Sequence, residues 1–162
     1  MKHIEISSQD ELKHADIVSI SPYSKSPLYE TIRAILSNNP KVCFHVTSLS
    51  MYFDEQSHTH SEIKAICEEY GYACTLYKTN KRKHSACKGG LRAVLVFWKG
   101  NLCPKMEYFN YAVPNNSIQA DILLQAEKFI DGKLPMLNCK FVKQNNLTNK
   151  IDYAELYEPK LF

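Results

Sequence analysis

Short apolar runs alternate with helix-patterned segments through the first hundred residues, and this order restricts the fold more than any other feature of the sequence. Buried strands are expected at 17–20, 42–46, 73–77 and 91–98. Apolar residues at helical spacing occupy 28–36 and 61–70, between the first three of these runs. Parallel strands need such crossover helices, because each connection must return to the same end of the sheet. The pattern predicts a single-domain α/β fold with a substantially parallel sheet.

The sequence after residue 100 is less regular. Residues 117–130 form an amphipathic helical pattern, and 108–113 and 136–142 are expected to be short strands. Without repeats or a linker-like stretch, residues 1–142 are predicted to be one domain. The polar sequence of 143–162 predicts a C-terminal tail that docks on this domain through aromatic and leucine side chains.

The composition is that of a soluble domain, with 44% hydrophobic and 23% charged residues in 162. No apolar run reaches the roughly 18 residues of a membrane span. The first residues alternate between polar and apolar types, unlike the apolar centre of a signal peptide. These features predict a cytoplasmic protein with no membrane contact.

The six cysteines are expected to be reduced and mostly buried, because several lie in apolar stretches and none has the Cys-x-x-Cys spacing of a zinc or redox site. His58, His60 and Glu62 resemble a fragment of a metal site, but the further ligands that zinc needs are missing. We therefore expect no metal and a solvated His60. His45, inside an apolar strand, is expected to be a hydrogen-bonded core residue.

Charge is distributed unevenly. Between Tyr70 and Met106 there is no acidic residue, although the stretch contains eight Lys and Arg residues. The part from Lys78 to Gly90 is polar and predicts an exposed basic loop. Clustered Lys and Arg can neutralise the backbone of DNA or RNA, whereas a basic loop that only aids solubility is the alternative. The candidate nucleic-acid-binding residues are Lys78, Lys81, Arg82, Lys83, Lys88 and Arg92.

The run from Asp16 to Ser24 places a proline and a tyrosine directly after a buried strand. Enzymes that modify a base extrude it and hold it by stacking and by hydrogen bonds to its edge. A tyrosine that follows a rigid proline can stack on such a base, although the same residues are also typical of a simple turn. Ser21, Pro22 and Tyr23 are the candidate catalytic residues.

Taken with the element order, this run resembles the target-binding half of amino-methylating (N6-adenine or N4-cytosine) DNA methyltransferases over about residues 3–100. The resemblance implies a Rossmann-like, methyltransferase-type sheet. In that family the strand ends in Asp/Asn/Ser-Pro-Pro-Tyr/Phe/Trp, whose polar residue binds the target amino group while the aromatic ring stacks on the flipped base. Pro22 and Tyr23 match the last two places, whereas Ser21 replaces a proline and Ile20 replaces the polar residue.

Members of that family bind S-adenosylmethionine with a Gly-x-Gly-type loop that follows a strand. None of the five glycines of this chain forms such a loop. The resemblance therefore implies a degenerate, non-catalytic protein that binds nucleic acid without a cofactor, or a methyltransferase fold completed by a second chain.

Two other hypotheses remain open. The strands 41–47, 73–78, 91–98 and 137–142, with the helices 61–70 and 117–130, follow the order of a ferredoxin-like α+β domain with an N-terminal addition. This order is similar to that of small phage enzymes that degrade S-adenosylmethionine, so an enzyme acting on S-adenosylmethionine or a nucleotide is the second hypothesis. Parallel pairing of 17–20 with 42–46 favours the methyltransferase-like fold, and a four-stranded antiparallel sheet favours the ferredoxin-like fold.

The third hypothesis is a protein–protein interaction or inhibitor protein. Its surface is expected to be an aromatic patch made of Tyr52, Phe53, Tyr108, Phe109 and Tyr111.

Overall fold

The computed structural model describes residues 3–5, 14–20, 28–48, 52, 59–78, 92–105, 118–144 and 151–156. The helices in these ranges are α1 (Leu28–Leu36), α2 (Thr59–Tyr70) and α3 (Ile118–Ile130). The strands are β1 (His3–Glu5), β2 (Ile17–Ile20), β3 (Val42–Ser48), β4 (Tyr72–Lys78), β5 (Arg92–Lys99), β6 (Cys103–Pro104), β7 (Met136–Leu137), β8 (Cys139–Gln144) and β9 (Ile151–Leu156).

Seven of these strands form one mixed sheet in the order β1-β2-β3-β5-β4-β8-β9. The strands β1, β2 and β3 are parallel neighbours, and β8 is parallel to β4. Strand β5 is antiparallel to both of its neighbours, β3 and β4. Ile17 opposes Val42 and Ile20 opposes His45, so the parallel pair that favours the methyltransferase-like arrangement is present in a mixed α/β fold.

The ferredoxin-like partition was wrong for the described strands. Its last strand, β8, lies beside β4 and runs parallel to it, so the four strands are not an antiparallel sheet. Strand β2 also pairs with β3 through four residues that are all buried, which makes residues 17–20 part of the central sheet rather than an addition to it.

Helices cover both faces of the sheet. Apolar side chains of α1 and α2, such as Ile35 and Ile66, pack with Phe97 on one face. On the other face, Ile122 of α3 packs in the same apolar cluster as Trp98. Successive residues of β5 therefore contribute to opposite cores, as expected for a central strand with an uninterrupted apolar sequence. We call these the α1/α2 face and the α3 face.

Helix ends follow the signals in the sequence. Asn39, three residues after the end of α1, has a φ of 57°, and Gly71 has a φ of 74° directly after α2. The backbone N–H of Gly71 donates to the carbonyl of Cys67 at 2.9 Å, which satisfies one of the last carbonyls of α2. The left-handed conformation at Gly71 costs little because glycine has no Cβ.

The C-terminal part of the domain contains a strand that the sequence did not indicate. Strand β8 continues to Gln144, and β9 pairs antiparallel with it, so residues 151–156 of the predicted tail form a strand of the sheet. β9 is the last of the described strands in the order of the sheet, where a strand needs only one partner. The predicted strand at 108–113 lies outside the described residues.

Five cysteines in the described segments are buried free thiols, as predicted. They are Cys43, Cys67, Cys74, Cys103 and Cys139. Burial raises the pKa of the Cys43 thiol, so it remains protonated and packs as a small apolar group. No helix in the described part of the chain is long and apolar enough to cross a bilayer.

Candidate functional site

The parallel strands β1, β2, β3, β4 and β8 all end at one side of the sheet, which we call the carboxyl edge. In open α/β sheets, ligands bind in crevices at this edge. Both candidate segments start there. Ser21 follows the last residue of β2 directly, and residues 79–91 connect the end of β4 to the start of β5.

The predicted basic loop is held at both ends at the carboxyl edge. Lys78 ends β4 and opposes Ala93, while Arg92 begins β5 and opposes Ser48 of β3. Arg92 is half-buried. The other candidate residues, both catalytic and basic, lie outside the described residues: Ser21, Pro22, Tyr23, Lys81, Arg82, Lys83 and Lys88.

The placement of Lys78 in an exposed loop was wrong. Lys78 is a strand residue and only 6% exposed. The ladder between β4 and β5 continues to Lys78, and the long aliphatic stem of a lysine can pack along an apolar surface. The basic segment that connects β4 to β5 is therefore residues 79–91.

The acid-free stretch does not form one surface. Lys99 ends β5 at the opposite edge, where its Nζ donates to Asn39 Oδ1 at 3.1 Å and lies 5.1 Å from the centre of the Tyr72 ring. Lys105 follows β6, and its backbone N–H donates to the carbonyl of Pro135. Lys99 and Lys105 are thus separated from residues 79–91, which connect β4 to β5 at the carboxyl edge.

Polar side chains gather on the α1/α2 face near the carboxyl edge. His45 and Lys143 lie at the two ends of one row that crosses β3, β5, β4 and β8. Thr47 and Lys78 both oppose Ala93, two residues closer to the carboxyl edge along their strands. Residues two apart in a strand share a face, so these side chains belong to the same side of the sheet.

His45 is a hydrogen-bonded core residue, as predicted. Its Nδ1 lies 2.7 Å from the Tyr52 hydroxyl, and the two rings meet edge to face with centres 5.9 Å apart. Burial lowers the pKa of His45 to about 4 and raises that of Tyr52 well above its usual value. Both groups are therefore neutral at pH 7.

Tyr52 cannot contribute to a surface patch, because it is fully buried in the α1/α2 core. The interaction-protein hypothesis therefore loses the one residue of its patch that the structure describes. The other four, Phe53, Tyr108, Phe109 and Tyr111, lie outside the described residues.

His60, in the first turn of α2, was expected to be solvated but is half-buried. Its ring meets Phe141 edge to face at 5.9 Å, and its Nδ1 lies 3.2 Å from the Nζ of Lys143. Burial and then the charge of Lys143 lower the pKa of His60. Since an ammonium group can only donate, Nδ1 accepts and Nε2 carries the hydrogen.

The Nε2 atom of His60 is buried and has no hydrogen-bond partner of adequate geometry in the described part of the chain. The backbone of Tyr52 is nevertheless close enough to favour protonation of the ring and so to oppose part of the lowering of its pKa. The contact is too poorly aligned to satisfy this donor, because a hydrogen bond weakens steeply when it is misaligned. An N–H donor therefore remains unsatisfied in this cluster.

The sequence did not identify Lys143 as part of this polar cluster, because Lys143 was assigned to the first position of a polar tail. Its distance of two residues from Phe141 could have indicated a position on the same strand face. The contact with His60, 83 residues earlier in the chain, could not have been deduced without the fold.

The glycines that the structure describes do not fit an S-adenosylmethionine loop. Gly71 and Gly132 follow helices, and Gly100 follows β5 at the edge opposite to the carboxyl edge. Their positive φ values serve these turns, and none of the three follows a parallel strand. Gly89 and Gly90 lie outside the described residues. Within the described ranges, no three His, Cys, Asp or Glu side chains lie close enough together to hold a metal ion.

Comparisons with known proteins give a weak structural likeness. No protein-family model matches the sequence, and no curated protein matches it either. Among solved structures, the chain is similar to the Dnmt2 methyltransferase of S. pombe, with a TM-score of 0.44 and 14% identity. The match covers 74% of this chain and 37% of that structure, so the chain spans little more than a third of its length.

Proposed function

We propose that this chain is a non-catalytic, methyltransferase-like protein that binds DNA or RNA along the carboxyl edge. The anchoring of the basic segment carries the proposal. Residues 79–91 include Lys81, Arg82, Lys83 and Lys88, and their flanking residues Lys78 and Arg92 are fixed in neighbouring strands of the sheet. Clustered Lys and Arg in a segment that joins two strands at the carboxyl edge can neutralise phosphates of a nucleic acid bound along that edge.

The lack of catalysis is proposed from the end of β2. Ile20 stands where the resembling family has a polar residue, and its side chain is buried in the α1/α2 core. An apolar side chain cannot accept a hydrogen bond from a target amino group. Tyr23 retains the ability to stack on an unpaired base, so the proposed role of Ser21-Pro22-Tyr23 is binding without chemistry.

The proposal is tested by the salt dependence of duplex binding. Replacing Lys81, Arg82 and Lys83 together with alanine is expected to reduce the slope of log K against log salt concentration by about 2.7. This value follows if each side chain contacts one phosphate, because each contact contributes about 0.9 to the slope. Fluorescence anisotropy with a labelled duplex at several salt concentrations measures it.

A matched control removes three lysines elsewhere. Lys41 precedes β3, and Lys105 and Lys133 flank the β6 and β7 strands, away from the carboxyl edge. Their replacement with alanine removes the same net charge and is expected to leave most of the slope unchanged. Equal slopes for both triple variants, or binding that salt does not weaken, would contradict the nucleic-acid proposal.

We also expect no binding of S-adenosylmethionine, because the glycines at 71, 100 and 132 serve turns away from the carboxyl edge. Isothermal titration calorimetry of the chain with S-adenosylmethionine should give no heat beyond dilution. A saturable heat would instead support the enzyme hypotheses, methyltransferase or S-adenosylmethionine-degrading. Loss of turnover on Tyr23→Ala would then assign the role of the Ser-Pro-Tyr segment.

A further inference from the structure

We propose that the contact between His60 and Lys143 is a pH-sensitive switch, which holds the first turn of α2 on β8 at neutral pH and releases it as the pH falls. The first turn of α2 is residues 59–62. The inference goes beyond the proposed function and does not depend on it, because it concerns how α2 is attached to the sheet and not what the carboxyl edge binds.

Two contacts of His60 join the first turn of α2 to β8. Its Nδ1 accepts a hydrogen bond from the Nζ of Lys143 at 3.2 Å, and its ring meets Phe141 edge to face with the ring centres 5.9 Å apart. Phe141 and Lys143 lie two residues apart on β8, so they share one face of the strand. Both contacts depend on the position of the His60 ring.

The hydrogen bond requires a neutral imidazole. An ammonium group can only donate, so Nδ1 must carry no hydrogen to accept from Lys143. A protonated ring has an N–H at both nitrogens, which would place two donors and two positive charges against each other across 3.2 Å. The Nε2 of His60 is buried without a well-aligned partner and gains no acceptor to offset this repulsion. Protonation therefore opposes the contact.

The charges that act on the ring are positive. Burial lowers the pKa of His60 most, and the charge of Lys143 lowers it further, as does that of Lys64 one turn later in α2, whereas the backbone of Tyr52 opposes part of this lowering. Lys78, which is buried, lies on the same face of the sheet as Lys143. All three lysines therefore disfavour a protonated His60.

The described carboxylates of α2 lie beside other cations. Glu62 and Glu69 are 3.5 Å and 3.1 Å from Arg33 of α1, and Glu68 is 3.1 Å from Lys140. In β9, Asp152 opposes Lys143 in the register of the two strands. The acidic groups of α2 are thus paired away from His60, which leaves Lys143 as the charged partner of the ring.

The direction of the pH dependence follows from the lowered pKa of His60. Once the first turn opens, the ring is in water and regains its ordinary pKa of 6.5. Well above pH 6.5 the ring is neutral in both the closed and the open form, and the contact is intact. As the pH falls below 6.5, the open form binds the proton more readily than the closed form, so the open fraction rises.

The rest of α2 is expected to stay on the sheet when its first turn opens. Ile63, Ile66 and Cys67 are almost fully buried in the core of the α1/α2 face. In an α-helix the N–H groups of residues 63 and 64 donate to the carbonyls of residues 59 and 60, so opening of the first turn releases them. The N–H groups of residues 67–70 keep their partners.

An NMR pH titration of the His60 ring tests the electrostatic part of the inference. In the unmodified chain the ring, assigned by its through-space contact with Phe141, should titrate below pH 6.5. Lys143→Gln should raise this pKa, because it removes the charge and leaves an amide that can donate to the ring or accept from it. Lys140→Gln is the matched control on the same strand and should leave the pKa unchanged, since Lys140 pairs with Glu68.

Amide hydrogen exchange tests the release of the first turn. The unmodified chain is compared at each pH with His60→Gln, whose amide can still accept from Lys143 but does not titrate, so the intrinsic pH dependence of exchange cancels. Between pH 7.5 and pH 5.5, exchange at residues 63 and 64 should rise several-fold more in the unmodified chain, with a limit of about tenfold. Exchange at residues 67–70 and in β5 should not show this difference.

Three results would overturn the inference. The first is a His60 ring that titrates at or above pH 6.5 in the unmodified chain, and the second is the same His60 pKa in Lys143→Gln and Lys140→Gln. The third is exchange at residues 63 and 64 that has no additional pH dependence, or that changes equally in β5, which indicates global unfolding. The first measurement needs no variant, so it decides even where a variant fails to fold.

Discussion

Replacing Trp98 with alanine is expected to lower the free energy of unfolding by about 4 kcal/mol. Trp98 is fully buried on the central strand β5, and its ring centre lies 5.1 Å from that of Phe129 on α3. Its indole Nε1–H donates to Thr75 Oγ1 of β4 at 3.1 Å. The substitution removes a large apolar surface and this hydrogen bond together, so urea unfolding followed by circular dichroism should show a large loss.

Two further variants separate these contributions. Trp98→Phe keeps most of the aromatic surface but loses the donor to Thr75, and we expect a cost of roughly 1 to 2 kcal/mol. Leu124→Ala changes a side chain of α3 that is 49% exposed and should cost less than about 1 kcal/mol. A loss of under about 1 kcal/mol for Trp98→Ala would contradict the central position of β5 in the core.

The central fold was predictable because its signals are local. The apolar run at 42–46 has no polar alternation, which indicates a strand buried on both faces, and β3 is such a strand. Gly71 indicated the end of α2 because a left-handed residue is needed there. With α1 between them, the apolar runs of β2 and β3 favoured parallel pairing, and the structure has it.

The cluster at the carboxyl edge was less predictable, because its contacts join distant parts of the chain. His45 could be expected to have a hydrogen-bond partner, but no periodic signal identified that partner as Tyr52. Lys78 was assigned to a loop by its polar neighbours, whereas its burial depends on where the β4–β5 ladder ends. Composition indicates which charges a chain carries, and the register of the strands decides which of them meet.

The hydrogen bond between His45 and Tyr52 suggests a test of pH dependence. The pKa of His45 is lowered from 6.5 to about 4 in the folded chain by burial. Well above pH 6.5 His45 is neutral in both the folded and the unfolded chain and contributes no pH dependence. Between pH 6.5 and about 4 only the unfolded chain binds the proton, so stability falls as the pH falls. The contribution of His45 amounts to roughly 2 to 3 kcal/mol between pH 7.5 and pH 4.5.

His45→Gln isolates that contribution, because glutamine can still accept a hydrogen bond from Tyr52 but has no titrating group. Urea unfolding at pH 7.5 and pH 4.5 should show that the unmodified chain loses roughly 2 to 3 kcal/mol more than the variant. His60, whose pKa is also lowered, is present in both proteins and cancels in this difference. Equal losses in the two proteins would mean that His45 is protonated in the folded chain, and the buried neutral pair with Tyr52 would then be wrong.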